Sequence, residues 1–306
     1  MELPSEDTLR WIVRRYAELR AAHGDVIGAP ELIEPNGRHF PDEFSRDAPS
    51  IVRLFKRMMS YAPLSDELPI QLAFVEPEEE DAQGGGCGKT ACGTGAKIAA
   101  TDGVTDLDEG YRVEVKVTDV ANPVVLTTSL ARSVGALVVA EGGELDAHEP
   151  GPTSEIAATA CGYGVLLLGG AAVYTKACGG LRMHRATHLA VEDLAVALAL
   201  FLRVHGVKPS VARAHLETTQ REAFDEALRW VDSNEALVDT LRDHPSDLTD
   251  GLFAIAPVRG IFGRLFSRKK ETPPEVAPVS KRERSDAEKR RLAEARALVD
   301  EALGSD

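Results

Sequence analysis

Two histidines and a glutamate have the spacing of a metal-binding helix. His184 and His188 are four residues apart, and Glu192 follows four residues later. On a helix the three side chains would share one face, and imidazole and carboxylate are both zinc ligands. The stretch follows Gly179-Gly180, however, and precedes a helix predicted to begin near Val191. This context favours the alternative interpretation, a loop that carries two exposed histidines.

A pair of cysteines forms a second candidate metal site. Cys87 and Cys92 are five positions apart, a spacing found among zinc ligands, and zinc favours thiolates. A closed structural site needs two further ligands, which this pair does not specify. The alternative is two loop cysteines that can form a reversible disulfide. Cys161 and Cys178 lie in apolar surroundings typical of buried thiols. We therefore expect no cofactor, with zinc at Cys87 and Cys92 as the open alternative.

Residues 84–90, which read GGGCGKT, partly match a phosphate-binding loop. The full pattern requires a glycine at position 83, where the chain has Gln83. It also requires a helix afterwards, whereas Ala91–Ala100 contains two glycines and predicts a turn and a strand. The sequence therefore does not favour nucleotide binding.

Several short stretches resemble an uncharacterised bacterial family of zincin-like metallopeptidases. The resemblance covers roughly Glu31 to Trp230 and rests on short, degenerate motifs. The first two motifs are similar to the family's entry segment and to the approach to its metal helix. The next two are similar to its third-ligand helix and to the helix after it. The entry segment corresponds to Glu31–Asn36 with Phe40–Phe44, and the approach to the metal helix corresponds to Asn122-Pro123 leading into Leu130-Ala131. The third-ligand helix corresponds to Glu155–Ala158 with Gly162–Gly164, and the helix after it corresponds to Leu189–Phe201.

The resemblance implies a degenerate metal site. The family helix reads His-Glu-x-x-His, in which the histidines bind zinc and the glutamate polarises the attacking water. Here Arg132, Ser133 and Ala136 occupy those positions. Arginine stays protonated, alanine has no donor atom, and serine is no general base at neutral pH. Glu155 lies near the position of the third ligand, a carboxylate. We therefore expect Arg132 and Glu155 to form an ion pair across the former metal position.

A simpler interpretation needs no metallopeptidase ancestry. The helix predicted over Val124–Ala140 is then a buried amphipathic helix, with its apolar side chains on the inner face. Those side chains are Leu126, Leu130, Val134 and Leu137.

The composition is that of an ordinary globular protein, and its charge excludes some partners. The chain has 306 residues, 43% of them hydrophobic, and a formal net charge of −14. Nucleic acids and anionic membranes attract basic surfaces, so neither is expected as a partner. Four cysteines and an acidic N-terminus indicate a reducing, cytoplasmic compartment. The uncharged run Ile156–Thr175 is long enough to span a bilayer, but its many glycines favour buried, closely packed helices.

The pattern of elements predicts an α+β fold that is zincin-like. A small mixed sheet is followed by a mainly helical half, then by a linker and a C-terminal helix. The predicted strands are Ile70–Val75, Ala96–Ala100 and Tyr111–Val117. The predicted helices are Ser5–His23, Ala48–Tyr61, Val124–Ala140, Ser154–Lys176, Val191–His205, Ser210–Ser233, Glu235–Arg242 and Ser285–Leu303.

The domain plan and the function follow from these features. We expect a globular zincin-like domain over residues 1–265, a flexible linker over 266–284 and a charged helix over 285–306. The expected function is non-catalytic: a pseudopeptidase that serves as a protein-binding or scaffold module, with a protein partner that could bind the C-terminal helix. One alternative is a metal-dependent hydrolase whose ligands moved to Cys87, Cys92, His184 or His188. Another is a helical membrane-associated protein.

Overall fold

The computed structural model describes residues 2–24, 30–76, 103–142, 149–177 and 180–258; for 175–177 and 180–183 it describes the backbone alone. The strands in these ranges are β1 (Ile70–Val75), β2 (Val104–Leu107), β3 (Gly110–Lys116), β4 (Val173–Ala177) and β5 (Gly180–His184). The helices are α1 (Glu6–His23), α2 (Ala48–Met59), α3 (Pro123–Glu141), α4 (Pro150–Ala158), α5 (Gly164–Ala171), α6 (Val191–Val204), α7 (Pro209–Arg213), α8 (Thr218–Ser233) and α9 (Glu235–Asp243).

The first three strands form a small mixed sheet in the order β1-β3-β2. Strand β3 pairs in parallel with β1 and antiparallel with β2. The alternation predicted for β3 is confirmed at Val113 and Val115, which are buried, while Glu114 between them is only partly so. Val117 is 46% exposed, because the strand ends at Lys116 and a short 3₁₀ turn follows.

Helix α3 has the boundaries that its end residues predict. The side chain of Asn122 accepts a hydrogen bond from the backbone N–H of Val124 at 3.0 Å, and Pro123 occupies the first helical position. At the other end the N–H of Gly142 donates to the carbonyl of Val138. The helix predicted over Val124–Ala140 is therefore confirmed to within a residue at each end.

The single helix predicted over Ser154–Lys176 is wrong. Helix α4 begins earlier, and a π-helical turn over Thr159–Tyr163 separates it from α5. The interruption is at Gly162, whose φ of +99° favours glycine. A β-carbon there would also lie 2.0 Å from the carbonyl oxygen of Glu31. After Ala171 the chain turns into β4, as the β-branched and aromatic residues of Val173-Tyr174-Thr175 favour.

The region predicted as one helix over Ser210–Ser233 divides into α7 and α8. The backbone N–H of Glu217 donates to the side-chain oxygen of Gln220 at 2.9 Å, which caps the start of α8. This cap starts a new helix at a point where apolar periodicity alone predicts a continuous helix.

Helices α3, α4, α5 and α6 form the centre of the molecule. Every residue of Leu194–Leu202 in α6 is buried. Together with the small mixed sheet these helices give the expected α+β class. Several predicted features lie outside the described residues. They are the strand over Ala96–Ala100, the site at Cys87 and Cys92, the linker over 266–284 and the helix over 285–306.

Two helical segments are long and apolar enough to cross a bilayer, judged by length and composition. They are α3 and the continuous stretch Pro150–Ala171. Most of the second segment is buried inside the protein, as in the core helix of a soluble protein. These segments are therefore weak grounds for a membrane location.

Candidate functional site

Helices α3 and α4 touch through their backbones. Gly135 lies against Ser154 and Ala158, and a β-carbon at position 135 would come within 2.0 Å of the Ser154 carbonyl oxygen. Helix α5 contacts α3 as well, and there the Thr128 hydroxyl donates to the carbonyl of Leu166 at 3.0 Å. The close approach of α3 and α4 also places Arg132, one turn before Gly135, beside Glu155 of α4.

Arg132 and Glu155 form an ion pair at this contact, as the sequence predicts. The Arg132 Nε atom lies 3.2 Å from Glu155 Oε1. The glutamate side chain is completely buried, and that of the arginine is 18% exposed. Because the pair is buried, removing one partner is costly, since the remaining charge is left without compensation.

Both oxygens of the Glu155 carboxylate also accept backbone hydrogen bonds. The N–H of His188 donates to Oε1 at 2.6 Å, and the N–H of Leu189 donates to Oε2 at 2.8 Å. Burial raises the pKa of Glu155 above the ordinary value of a glutamate. The two backbone donors and the Arg132 guanidinium act in the opposite direction and stabilise the carboxylate.

The Arg132 guanidinium contacts the same loop. Its Nη1 donates to the carbonyl of Ala186 at 3.0 Å, and its Nη2 lies 2.5 Å from Nε2 of the His188 ring. The N–H of Ala186 in turn donates to the carbonyl of Gly170 at 2.9 Å. The loop over residues 185–190 is thus held by α3, α4 and α5 at once. We call Arg132, Glu155 and His188, with the carbonyl of Ala186 and the N–H of Leu189, the Arg132 cluster.

Ser133 and Ala136 lie inside the protein. Ser133 is 1% exposed, and its hydroxyl donates to the carbonyl of Ser129 at 3.2 Å, one turn earlier on α3. Ala136 is 4% exposed and carries no polar atom. Ala136 therefore offers no ligand atom, and the Ser133 hydroxyl, which is bonded to its own helix, is no general base at neutral pH.

The proposed metal-binding helix around His184 does not form. His184 is the last residue of β5, and the loop that follows carries His188, so the two histidines share no helical face. Both are exposed, as the loop interpretation predicts. Glu192 lies separately, in the first turn of α6. Within the described parts of the chain, no three His, Cys, Asp or Glu residues are placed to hold a metal ion. Cys87 and Cys92 fall outside those parts.

Sequence reasoning missed the loop that completes the cluster. The sequence places His188 in a loop but does not predict that its backbone N–H binds Glu155 or that its ring packs against Gly151. A β-carbon at Gly151 would lie 2.4 Å from that ring. Backbone donors carry no residue-type signal, and 33 positions separate Glu155 from His188. Only the tertiary fold reveals this contact.

Comparison with known proteins assigns this chain to no family. No family model matches the sequence, and no curated protein or solved structure shows significant similarity to it. The resemblance to zincin-like metallopeptidases therefore stays a prediction from short sequence motifs.

Proposed function

We propose that this chain is a non-catalytic, zincin-like pseudopeptidase that serves as a protein-binding or scaffold module in the cytoplasm. One observation carries the proposal: the Arg132 guanidinium pairs with the buried Glu155 carboxylate, where the resemblance requires a metal ion. The Arg132 guanidinium is permanently charged and already neutralises Glu155, so a zinc ion would have to displace it to bind this carboxylate.

The chemistry of the neighbouring positions supports a role without catalysis. Zinc peptidases need two neutral imidazoles, a carboxylate and a base beside the bound water. The corresponding positions here hold a guanidinium, a methyl group and a hydroxyl that is bonded to its own helix. Of the four groups, only Glu155 is of the required type.

The order of elements supports the zincin part of the proposal. A small mixed sheet with one antiparallel edge strand precedes α3, and the acidic residue lies on the helix that packs against α3. This is the layout that the family resemblance implies. The acidic net charge and the small number of cysteines support the cytoplasmic compartment.

Metal analysis combined with a peptidase assay tests the proposal. We expect the purified protein to contain substoichiometric zinc and to leave a casein substrate intact after zinc is added. One zinc per chain that is lost in the Glu155→Gln variant, together with hydrolysis, would overturn the proposal. The Cys87→Ser variant is the control, since zinc lost only in that variant belongs to a structural site at the cysteine pair.

A further inference from the structure

A cavity of about 380 Å³ opens beside the first turn of α3. The segment Pro35–Phe44 covers one side of it, and α2, α3 and α5 form the rest. Its apolar wall includes Phe40, Phe44, Leu54, Leu126 and Leu166. The volume lies within the range of ordinary ligand sites, and none of the wall residues belongs to the Arg132 cluster.

The polar groups of the wall are nearly all bonded within the protein. The Asn36 side-chain oxygen accepts from the N–H of Arg38 at 3.0 Å, and the Thr127 hydroxyl donates to the carbonyl of Pro123 at 2.9 Å. Asp42 accepts two hydrogen bonds from Arg57, at 2.6 and 3.2 Å. Because these groups already have hydrogen-bond partners within the protein, they gain little free energy from binding a polar ligand.

Glu43 is the exception among the polar wall residues. It is exposed, and it makes no ion pair with any other residue that the structure describes. Among the residues that the structure describes, no lysine or arginine lines the cavity with Glu43. The wall therefore combines an apolar surface with one unneutralised carboxylate, a combination complementary to an apolar group next to a cation.

We propose that this cavity docks a peptide segment of a partner protein in which a phenylalanine- or leucine-sized side chain lies beside a lysine or arginine. The apolar side chain enters between Phe40 and Leu54, and the cation pairs with Glu43 at the rim. Phe44, which is 36% exposed, closes over the bound side chain. The inference rests on the proposed function, because it gives the binding module its binding site and the chemistry of its partner.

Selection from a random peptide library displayed on phage, with the full chain immobilised, tests the docking site. We expect the enriched peptides to share an apolar residue next to a basic one. A synthetic peptide of that consensus should bind at least about tenfold more weakly to the Phe44→Ala variant, as loss of an interface anchor predicts. The Glu43→Lys variant should select acidic residues in place of basic ones. The Glu67→Lys variant, which makes the same charge change at an exposed residue outside the cavity, should bind like the wild type.

Three results would overturn the docking site. They are a library without enriched peptides, an acidic consensus for the wild-type protein, and binding of the consensus peptide to the Phe44→Ala and Glu43→Lys variants as tight as to the wild type. Both side chains reach the surface, so circular dichroism should show both variants folded. The two proposals fail separately: a metal-free, inactive protein that selects no peptide loses only the docking site, and a zinc-dependent peptidase loses only the non-catalytic assignment.

Discussion

Gly135 of α3 lies against the backbone of Ser154 on α4, so closely that a β-carbon at position 135 would come within 2.0 Å of the Ser154 carbonyl oxygen. This contact sets the distance between the two helices. It also brings Arg132, one turn away, within 3.2 Å of Glu155. The ion pair therefore depends on a glycine that carries no chemistry of its own.

Replacing Gly135 with alanine should destabilise the protein by about 1 to 3 kcal/mol, since the added methyl group meets backbone atoms that cannot move aside. Urea unfolding measures the change. Gly169→Ala in α5 is the matched control, because the nearest atom to a β-carbon there is 3.9 Å away. That variant should be unchanged or stabilised by up to about 1 kcal/mol, as the helix propensity of alanine predicts. Equal effects at the two positions would contradict the close packing of α3 and α4.

Removal of Arg132 should be costly because its partner is buried. The Arg132→Ala variant should lose about 3 kcal/mol in free energy of unfolding, since Glu155 must then either carry a buried charge without its counterion or take up a proton. The matched control is Arg213→Ala, which breaks a pair with Asp225 whose side chains are 53% and 33% exposed. That change should cost less than about 1 kcal/mol. A loss at position 132 no larger than at position 213 would show that the buried pair contributes little.

The stability of the protein should depend on pH through Glu155. Burial raises the pKa of this carboxyl in the folded state, so folding favours its protonated form. Its contribution is complete below the ordinary pKa of glutamate and is lost as the pH rises through the folded-state pKa. We therefore expect the wild type to lose stability relative to the Glu155→Gln variant as the pH rises above the ordinary pKa of glutamate.

Asp42 supplies a control of opposite sign. Its hydrogen bonds from Arg57 hold the pKa of its carboxyl below the usual value. The contribution of Asp42 is therefore present at neutral pH and is lost as the pH falls through the folded-state pKa. Relative to the Asp42→Asn variant, the wild type should gain stability as the pH rises. Differences of the same sign for the two pairs, in urea unfolding followed from below to above the ordinary carboxyl pKa values, would contradict the assignment.

Glu155 should also hold the loop over residues 185–190 in place. The Glu155→Ala variant removes the acceptor for the N–H groups of His188 and Leu189. Hydrogen exchange followed by mass spectrometry should show faster exchange in a peptide that contains these two amides, with little change in α8. Uniformly faster exchange across the chain would instead indicate global destabilisation, and unchanged exchange in the loop would contradict the anchoring role.

Residue patterns predict the local structure well where a cap or an alternation defines it. Asn122-Pro123 marks the start of α3, and the valines of β3 show which face is buried. The break at Gly162 is different, because it depends on the approach of Glu31 from a distant part of the chain. Propensity over 154–176 therefore predicts one continuous helix, and the tertiary contact overrides it.

The candidate site also contains some contacts that can be predicted from the sequence and others that only the tertiary structure shows. The pair of Arg132 and Glu155 is predicted only from the family resemblance, since the spacing of residues on two different helices does not imply a contact. The loop contacts cannot be predicted, since two of the donors are backbone N–H groups and one acceptor is the carbonyl of Ala186. Any residue type except proline supplies such a donor, so the sequence contains no signal for them.

Restoring the metal ligands tests the central claim most directly. The Arg132→His and Ala136→His double variant combines two imidazoles on one face of α3 with the Glu155 carboxylate, and it leaves the buried Ser133 unchanged. Isothermal titration calorimetry of the folded variant should show one zinc ion bound per chain, with binding lost when Glu155→Gln is added. The wild-type protein should show no zinc binding that depends on Glu155. A folded double variant that binds no zinc would contradict the claim that Arg132 stands in the place of a metal ion.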